Sequence, residues 1–327
     1  MEKGARLQVR RRYGEPGVES TFTRVDDREY EAYCERAGLS PEPGSHTLGE
    51  CLAIAAGRES PDGAFLFAGT GLPLVGCMFA QHTYAPDSVI VMESGIVGPK
   101  IRHLPVSVSD PRAAYGCTML SNMADAFGSL AMRGYCTAGI LGGAECDRYG
   151  NLNSTAVGGY APALVSESGR GPRVRLAGSG GANPIASFAD FVIAMMAHER
   201  QRFPERCEYL TSPGGARGAV GSGEHRWRYG LYRGGHTVVL TTLGILRTDD
   251  DSGELLLDAV YPGADERAVY ENTGWPLRKS PDFRVMDAPT YEELKILRCV
   301  VDPTRIYLGR TRGNFAKTGG VVAAERA

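Results

Sequence analysis

The chain has 327 residues, 43% of them hydrophobic and 23% charged, a balance that supports a buried core and excludes a disordered polypeptide. Its 36 Lys and Arg face 38 Asp and Glu, so there is no cationic excess to release counterions from a phosphate backbone, and nucleic acid is excluded as a partner. The longest apolar stretches, Ala64–Ala68 and Phe191–Ala197, are too short to span a bilayer and the charged N-terminus has no apolar signal core, so a cytoplasmic protein with no membrane contact is expected.

Residues 1–45 are charged and end in the turn-rich stretch Ser40–Ser45. They read as an N-terminal extension joined by a short linker to a main domain over 46–305, with a tail over 306–327. The basic run Arg10-Arg11-Arg12 reads as a solvated arm. From Thr47 onwards apolar runs alternate with helical patterns. The runs are Ala64–Ala68, Ser88–Met92, Thr137–Leu141 and Phe191–Met195. Continuous apolar runs bounded by turn residues are what a parallel sheet requires when helices cover both faces, which predicts an open, mainly parallel α/β sheet. Met119, Leu120, Met123, Phe127, Leu130 and Ala131 recur at three- and four-residue spacing and predict a crossover helix. Two further strands are expected at Thr237–Thr241 and Glu254–Asp258, and a helix over Tyr291–Val300. Eight scattered cysteines form no C-x-x-C pair, and His198-Glu199 has no second histidine at H-E-x-x-H spacing. Reduced thiols and no metal site are expected.

The 43 glycines concentrate in loops after the strands, where an open α/β sheet binds its ligands. Gly69-Thr70-Gly71 follows a strand and opens a helix. A dinucleotide fingerprint is argued against by the third glycine, five residues after the second, and by Pro73, which removes an N–H from the turn. A backbone cradle for another anionic or carbonyl group remains open. Glu93 closes the run Ser88–Met92 and is followed by Ser94 and Gly95. A carboxylate leaving a buried strand needs a partner or a task; composition alone favours a surface loop or an ion pair, and the pattern leaves both open. Gly142-Gly143 begins a turn-rich segment running to Asn153, in which Cys146 reads as a small buried residue because no histidine lies near it in sequence. Gly178-Ser179-Gly180-Gly181-Ala182-Asn183 follows the strand-like run Arg173–Ala177 and reads equally as an oxyanion nest or as a bare glycine turn.

Taken in order, these segments resemble the B-subunit of glutaconate CoA-transferase and its relatives among the class I CoA-transferases. The resemblance is carried by Gly69–Leu74 with Tyr84–Asp87, Glu93-Ser94-Gly95, Gly142–Ala144 running to Tyr149–Thr155, and Gly178–Asn183. His198-Glu199 with Arg202-Phe203, Tyr209–Gly214 and Glu271–Gly274 continue it, so that it spans residues 47–305. It implies a CoA-transferase-type fold, a separately encoded A-subunit and an active site between the two chains. It also implies that Glu93 is the nucleophile, passing through a glutamyl-CoA thioester. By the same resemblance Gly69, Thr70, Gly71, Ser94, Gly95, Gly143, Gly178, Ser179, Gly180, Gly181, Ala182 and Asn183 contact substrate or CoA. No permanently bound cofactor is implied, the CoA thioester being substrate.

Three features depart from the family pattern: the long N-terminal extension, the segment Cys117–Arg133, and the run Gly223–Tyr229 within residues 215–236. They bear on substrate choice and subunit contacts. Two alternatives share the scaffold. One is an acyl-CoA hydrolase of the steroid-ring-opening kind, or a decarboxylase, against which the retained Glu93 argues. The other is a non-catalytic chain that binds acyl-CoA.

Overall fold

The computed structural model describes residues 11–158, 172–215 and 226–309, without the side chains of Trp227 and Arg228. The tail beyond 309, Arg10 and the residues Gly223–His225 lie outside the described residues. In chain order the elements are α1 (Asp27–Ala37), α2 (Leu48–Glu59), β1 (Phe65–Ala68), α3 (Leu72–His82), β2 (Val89–Val91), β3 (Ile96–Val97) and β4 (Met119–Leu120). After a π-helical segment, Asp125–Tyr135, come β5 (Ala138–Gly142), β6 (Glu145–Cys146), β7 (Leu152–Asn153), β8 (Ala156–Val157), β9 (Val174–Arg175), α4 (Ala182–Phe188) and β10 (Phe191–Met196). The chain closes with β11 (His236–Thr241), β12 (Gly244–Thr248), β13 (Leu255–Val260), α5 (Glu266–Glu271), β14 (Arg278–Val285) and α6 (Tyr291–Ile296), which continues through Leu297–Val301. The chain divides into two compact units, Met1–Ala126 with Asp287–Ala327, and Phe127–Met286. Among the described residues no helix is long and apolar enough to cross a membrane.

In the first unit β1 pairs in parallel with β2, and β3 and β4 add antiparallel strands beyond it. Helices α2 and α3 meet through small residues. A Cβ on Gly76 would stand 2.7 Å from the Cβ of Ala56, and one on Gly57 would stand 2.4 Å from the Phe79 ring, so both positions require glycine for the helices to approach this closely. Helix α2 is buried along almost its whole length, charged residues included. Its Glu50 serves twice, closing a capping box with Thr47 and receiving the fully buried Arg298 at 2.8 Å. Glu293 does the same in α6, capping with Thr290 and receiving Arg58 at 2.7 and 2.6 Å. The start of each helix is thus tied to the end of the other, and the two helices run antiparallel.

The N-terminal segment packs into this unit. Tyr30 and Cys34 of α1 are buried, and Arg298 donates to the Tyr30 hydroxyl at 2.9 Å and to the Ser40 carbonyl at 2.8 Å. Arg11 and Arg12 do not form a solvated arm: Arg11 pairs with Glu59 at 3.0 Å, and Arg12 with Asp62 at 3.5 Å.

In the second unit the strand order is β14-β13-β12-β11-β10-β5. The pairs β5/β10, β10/β11 and β13/β14 are parallel, while β11/β12 and β12/β13 are antiparallel, so the sheet is mixed, and mainly parallel where the apolar runs predicted it. Two expectations are corrected here. The methionine-rich stripe is not one helix: Met119 and Leu120 pair as an edge strand, and helix begins only after Asn122, whose side-chain oxygen accepts the Ala124 and Asp125 N–H groups. The second is only shortened: the run Arg173–Ala177 does contain a strand, but it is the two exposed residues of β9, paired with β8 in a separate ribbon.

Candidate active site

The parallel register of β1 and β2 positions the first group of candidate residues. Phe67 pairs with Val91, so two residues beyond that pair stand Gly69 on one strand and Glu93 on the other, both at the carboxyl edge. Gly69 and Thr70 lead into Gly71, whose φ of +96° turns the chain into α3. Pro73 falls in the first turn of that helix, where a missing N–H leaves no bond unmade.

Glu93 occupies the corner of a tight hairpin. Met92 accepts the Gly95 N–H at 3.0 Å and donates its own N–H to Ile96 at 2.9 Å, so Glu93 and Ser94 are the two central turn residues. Glu93 is half-buried. The Ser94 hydroxyl is buried with no hydrogen-bond partner among the described residues, which marks a polar group shielded from solvent beside the carboxylate. Gly95 also has a φ of +96°, and its Cβ position lies 2.3 Å from the Asn122 nitrogen and 2.5 Å from the Ser121 carbonyl carbon. The hairpin is therefore pressed against the chain leaving β4, and Ser121 donates its N–H to the Gly95 carbonyl at 3.0 Å.

The second unit gathers the remaining candidates through a hydrogen-bond network. Gly143 follows β5 at the carboxyl edge of that sheet. The turn after it is organised by Asp147, which accepts the N–H groups of Tyr149 and Asn151 and the Asn151 amide. Asn151 in turn accepts the Gly214 N–H at 2.7 Å. The loop Gly178–Asn183 is held on two sides. Gly178 donates to the Ser154 carbonyl at 2.9 Å and accepts the Ser154 hydroxyl at 3.0 Å, and the Asn183 amide donates to the Thr211 carbonyl at 2.9 Å. Thr211 closes the circuit by accepting the Ser154 N–H at 2.9 Å. Three separate sequence segments, Gly142–Thr155, Gly178–Asn183 and Tyr209–Gly214, thus form one constellation. The N–H groups of Gly178, Ala182 and Asn183 are spent within the protein, which leaves a smaller nest than the glycine count suggests.

Other residues noted in the sequence have structural partners. Cys146 is wholly buried with its thiol pushed well above the ordinary range by burial, so it is no nucleophile. His198 is buried and stacked on Phe203 with ring centres 4.2 Å apart. Its ring nitrogens lie 3.0 Å from the Thr241 hydroxyl and 3.1 Å from that of Thr273. Gly274 donates its N–H to the Phe203 carbonyl at 2.7 Å. The segments His198–Phe203 and Glu271–Gly274 are therefore two sides of one packing contact. Among the described residues no cluster of His, Cys, Asp and Glu is placed to hold a metal ion. A cavity of about 330 Å³ in the first unit is lined by Tyr13, Arg58, Tyr84, Asp287 and neighbouring residues, of which Tyr84 falls in a segment that carries the resemblance but none was expected to contact substrate. Ser154, Thr211 and Arg226 lie in segments that the sequence singled out, but it assigned none of them a role of its own. All three act through hydrogen bonds to segments distant in sequence, which no local pattern announces.

Comparison with known proteins gives this arrangement its family. Residues 50–272 match the family model described as coenzyme A transferase. The chain is 32% identical over 269 residues to the B-subunit of 3-oxoadipate CoA-transferase from Pseudomonas knackmussii, covering 82% of this chain and 98% of that protein. It is 35% identical over 269 residues to the B-subunit of glutaconate CoA-transferase from Acidaminococcus fermentans, covering 81% of this chain and 96% of the relative. The crystal structure of glutaconate coenzyme A-transferase from the same organism superimposes with a TM-score of 0.71 at 33% identity, over 81% of this chain and 98% of the other. The chain belongs to the coenzyme A transferase family and is of its B-subunit type.

Proposed function

We propose that this chain, together with an A-type subunit, moves CoA from an acyl-CoA to a carboxylic acid, with Glu93 as the nucleophile. The observation that carries the proposal is the position of Glu93: a half-buried carboxylate at the corner of a tight hairpin, across the parallel register from Gly69, in a chain of this family. The Glu93 carboxylate attacks the thioester carbonyl, the C–S bond breaks, and a mixed anhydride forms with release of CoA thiolate. The thiolate attacks the glutamyl carbonyl of the anhydride, expelling the first acid as its carboxylate and leaving a glutamyl-CoA thioester. The incoming carboxylate then repeats the two steps in reverse, regenerating Glu93 without net proton transfer.

A carboxylate is a weak nucleophile in water, but fixed in near-attack geometry it gains on the order of 7–11 kcal/mol from positioning. The hairpin supplies part of that fixation, since the Gly95–Ser121 contact leaves the turn little freedom. Exclusion of water protects the anhydride and the thioester from hydrolysis. Gly69, Thr70, Gly71, Ser94 and Gly95 are assigned to the acyl and thioester groups, and Gly143 with Gly178, Ser179, Gly180, Gly181, Ala182 and Asn183 to acyl-CoA binding. The transferase domain is assigned to residues 46–305. CoA thioesters are substrates, and no bound cofactor enters the mechanism.

The test is chemical trapping. Incubating the co-expressed pair of subunits with acyl-CoA and then borohydride or hydroxylamine is expected to modify Glu93, read by peptide mass. A pair that transfers CoA while Glu93 stays unmodified sinks the proposal.

A further inference from the structure

Arg226 comes from the run Gly223–Tyr229, which departs from the family pattern, yet it is 1% exposed. Among the described residues its hydrogen bonds end on main-chain carbonyls. Nη1 donates to Pro213 at 3.2 Å and Gly214 at 2.8 Å, and Nη2 donates to Ala186 at 3.0 Å and Ser187 at 3.1 Å. Burial lowers its pKa to about 10, so it remains a cation at neutral pH. A desolvated cation whose partners among the described residues are carbonyl dipoles is costly, and removing those carbonyls costs more.

The four carbonyls belong to two segments. Pro213 and Gly214 end the Tyr209–Gly214 loop, whereas Ala186 and Ser187 lie in the last turn of α4, whose first turn holds Ala182 and Asn183. The last carbonyls of a helix carry partial negative charge and suit a guanidinium. One terminal nitrogen of the planar fork, Nη1, therefore holds one segment and the other, Nη2, the second, a geometry that an ammonium on a flexible stem does not reproduce. The Asn183 amide on the Thr211 carbonyl joins the same two segments at the opposite end of α4.

We propose that Arg226 is a positioning residue for the Gly178–Asn183 loop, clamping α4 against the Tyr209–Gly214 segment so that the loop is presented to acyl-CoA in a single geometry. This rests on the assignment of that loop to acyl-CoA binding. A residue outside the family pattern then governs how rigidly a family motif is held.

Arg226→Lys and Arg226→Gln, each co-expressed with the A-type subunit, test the clamp. Amide exchange at residues 178–189 and 211–215 is expected to accelerate about tenfold, while β10 and β11 exchange as before. The KM for acyl-CoA is expected to rise about tenfold with kcat changed less than about twofold, as loss of a binding geometry requires. Folded variants whose exchange and KM per active site match the parent overturn the proposal, as does a uniform loss of protection across the whole unit, which would make Arg226 merely structural. Should neither variant accumulate as folded protein, the unmodified chain decides. Amides of 178–189 and 211–215 that open with one common free energy support the clamp, and independent opening overturns it. A parent pair without transferase activity removes the acyl-CoA assignment, and the exchange readout still judges the clamp.

Discussion

Replacing Gly95 by alanine perturbs the Glu93 hairpin at its narrowest point. The residue has a φ of +96°, a conformation that costs an L-residue about 1–3 kcal/mol. The new methyl group would also stand 2.3 Å from the Asn122 nitrogen and 2.5 Å from the Ser121 carbonyl carbon, so the backbone leaving β4 must shift. Overpacking of that kind costs a further 1–3 kcal/mol, roughly. A mid-range sum of about 4 kcal/mol lowers Tm by about 10 °C for a unit of this size. Gly71 provides the reference, because it has the same φ of +96° but its Cβ position meets nothing nearer than the Pro73 Cδ at 3.8 Å. Gly71→Ala therefore carries only the conformational cost, and Gly44→Ala, with no atom within 4 Å, carries neither. Thermal denaturation followed by circular dichroism should rank the variants in the order Gly44, Gly71, Gly95. If Gly95→Ala melts together with Gly71→Ala, the close contact between the hairpin and Ser121–Asn122 does not exist, and the fixation invoked for Glu93 fails with it.

Breaking one buried ion pair, by Arg58→Met or Glu293→Gln, should destabilise the first unit by about 3–5 kcal/mol, whereas the double replacement by apolar residues should recover the part due to the stranded charge but not the part due to the lost Thr290 cap and Tyr84 hydrogen bond. Equal losses in single and double variants in urea titrations would show instead that the attraction within the pair outweighs its desolvation. His198 is held neutral by burial with a pKa of about 4, against 6.5 in the unfolded chain. Between those values the unfolded chain binds a proton that the folded chain does not. Stability should therefore be flat above about pH 6.5 and fall on the order of 3 kcal/mol as pH drops to about 4. A His198→Gln variant with an identical pH slope would assign that loss to other groups. A water-soluble thiol reagent should leave Cys146 and Cys77 unmodified in the native chain, since both are buried with raised pKa values. Native labelling of Cys146 would reopen its candidacy as a nucleophile.

The sequence revealed the strands that are buried on both faces, because a buried parallel strand must be apolar throughout. It concealed β14, whose Arg278–Val285 is exposed, charged and interrupted by Pro281. It misled at Met119–Leu120, where exposed apolar residues at helical spacing belong to an edge strand. The place of Glu93 at a strand end before a glycine turn was legible as a local feature, whereas the role proposed for it came from the family resemblance and not from the pattern. The partners of His198 lie 43 and 75 positions away, and the buried arginines 58 and 298 look like ordinary helix-surface charges until their distant carboxylates are known. Arg226 lies in a run that the sequence marked as unusual, but nothing there announced its burial or its partners among the described residues, which are carbonyls, and every residue has one.

The crossed pairs between α2 and α6 also bear on how the protein is made. Glu50 and Arg58 leave the ribosome early, but Arg298 and Glu293, their partners, follow 248 and 235 residues later. Until then α2 carries two charges whose burial is opposed by several kcal/mol each. Residues 127–286 form a contiguous unit and need not wait, so the middle of the chain completes before its beginning does. A nascent chain stopped short of Glu293 therefore retains the Glu93 hairpin sequence but lacks the helix that completes the unit around it.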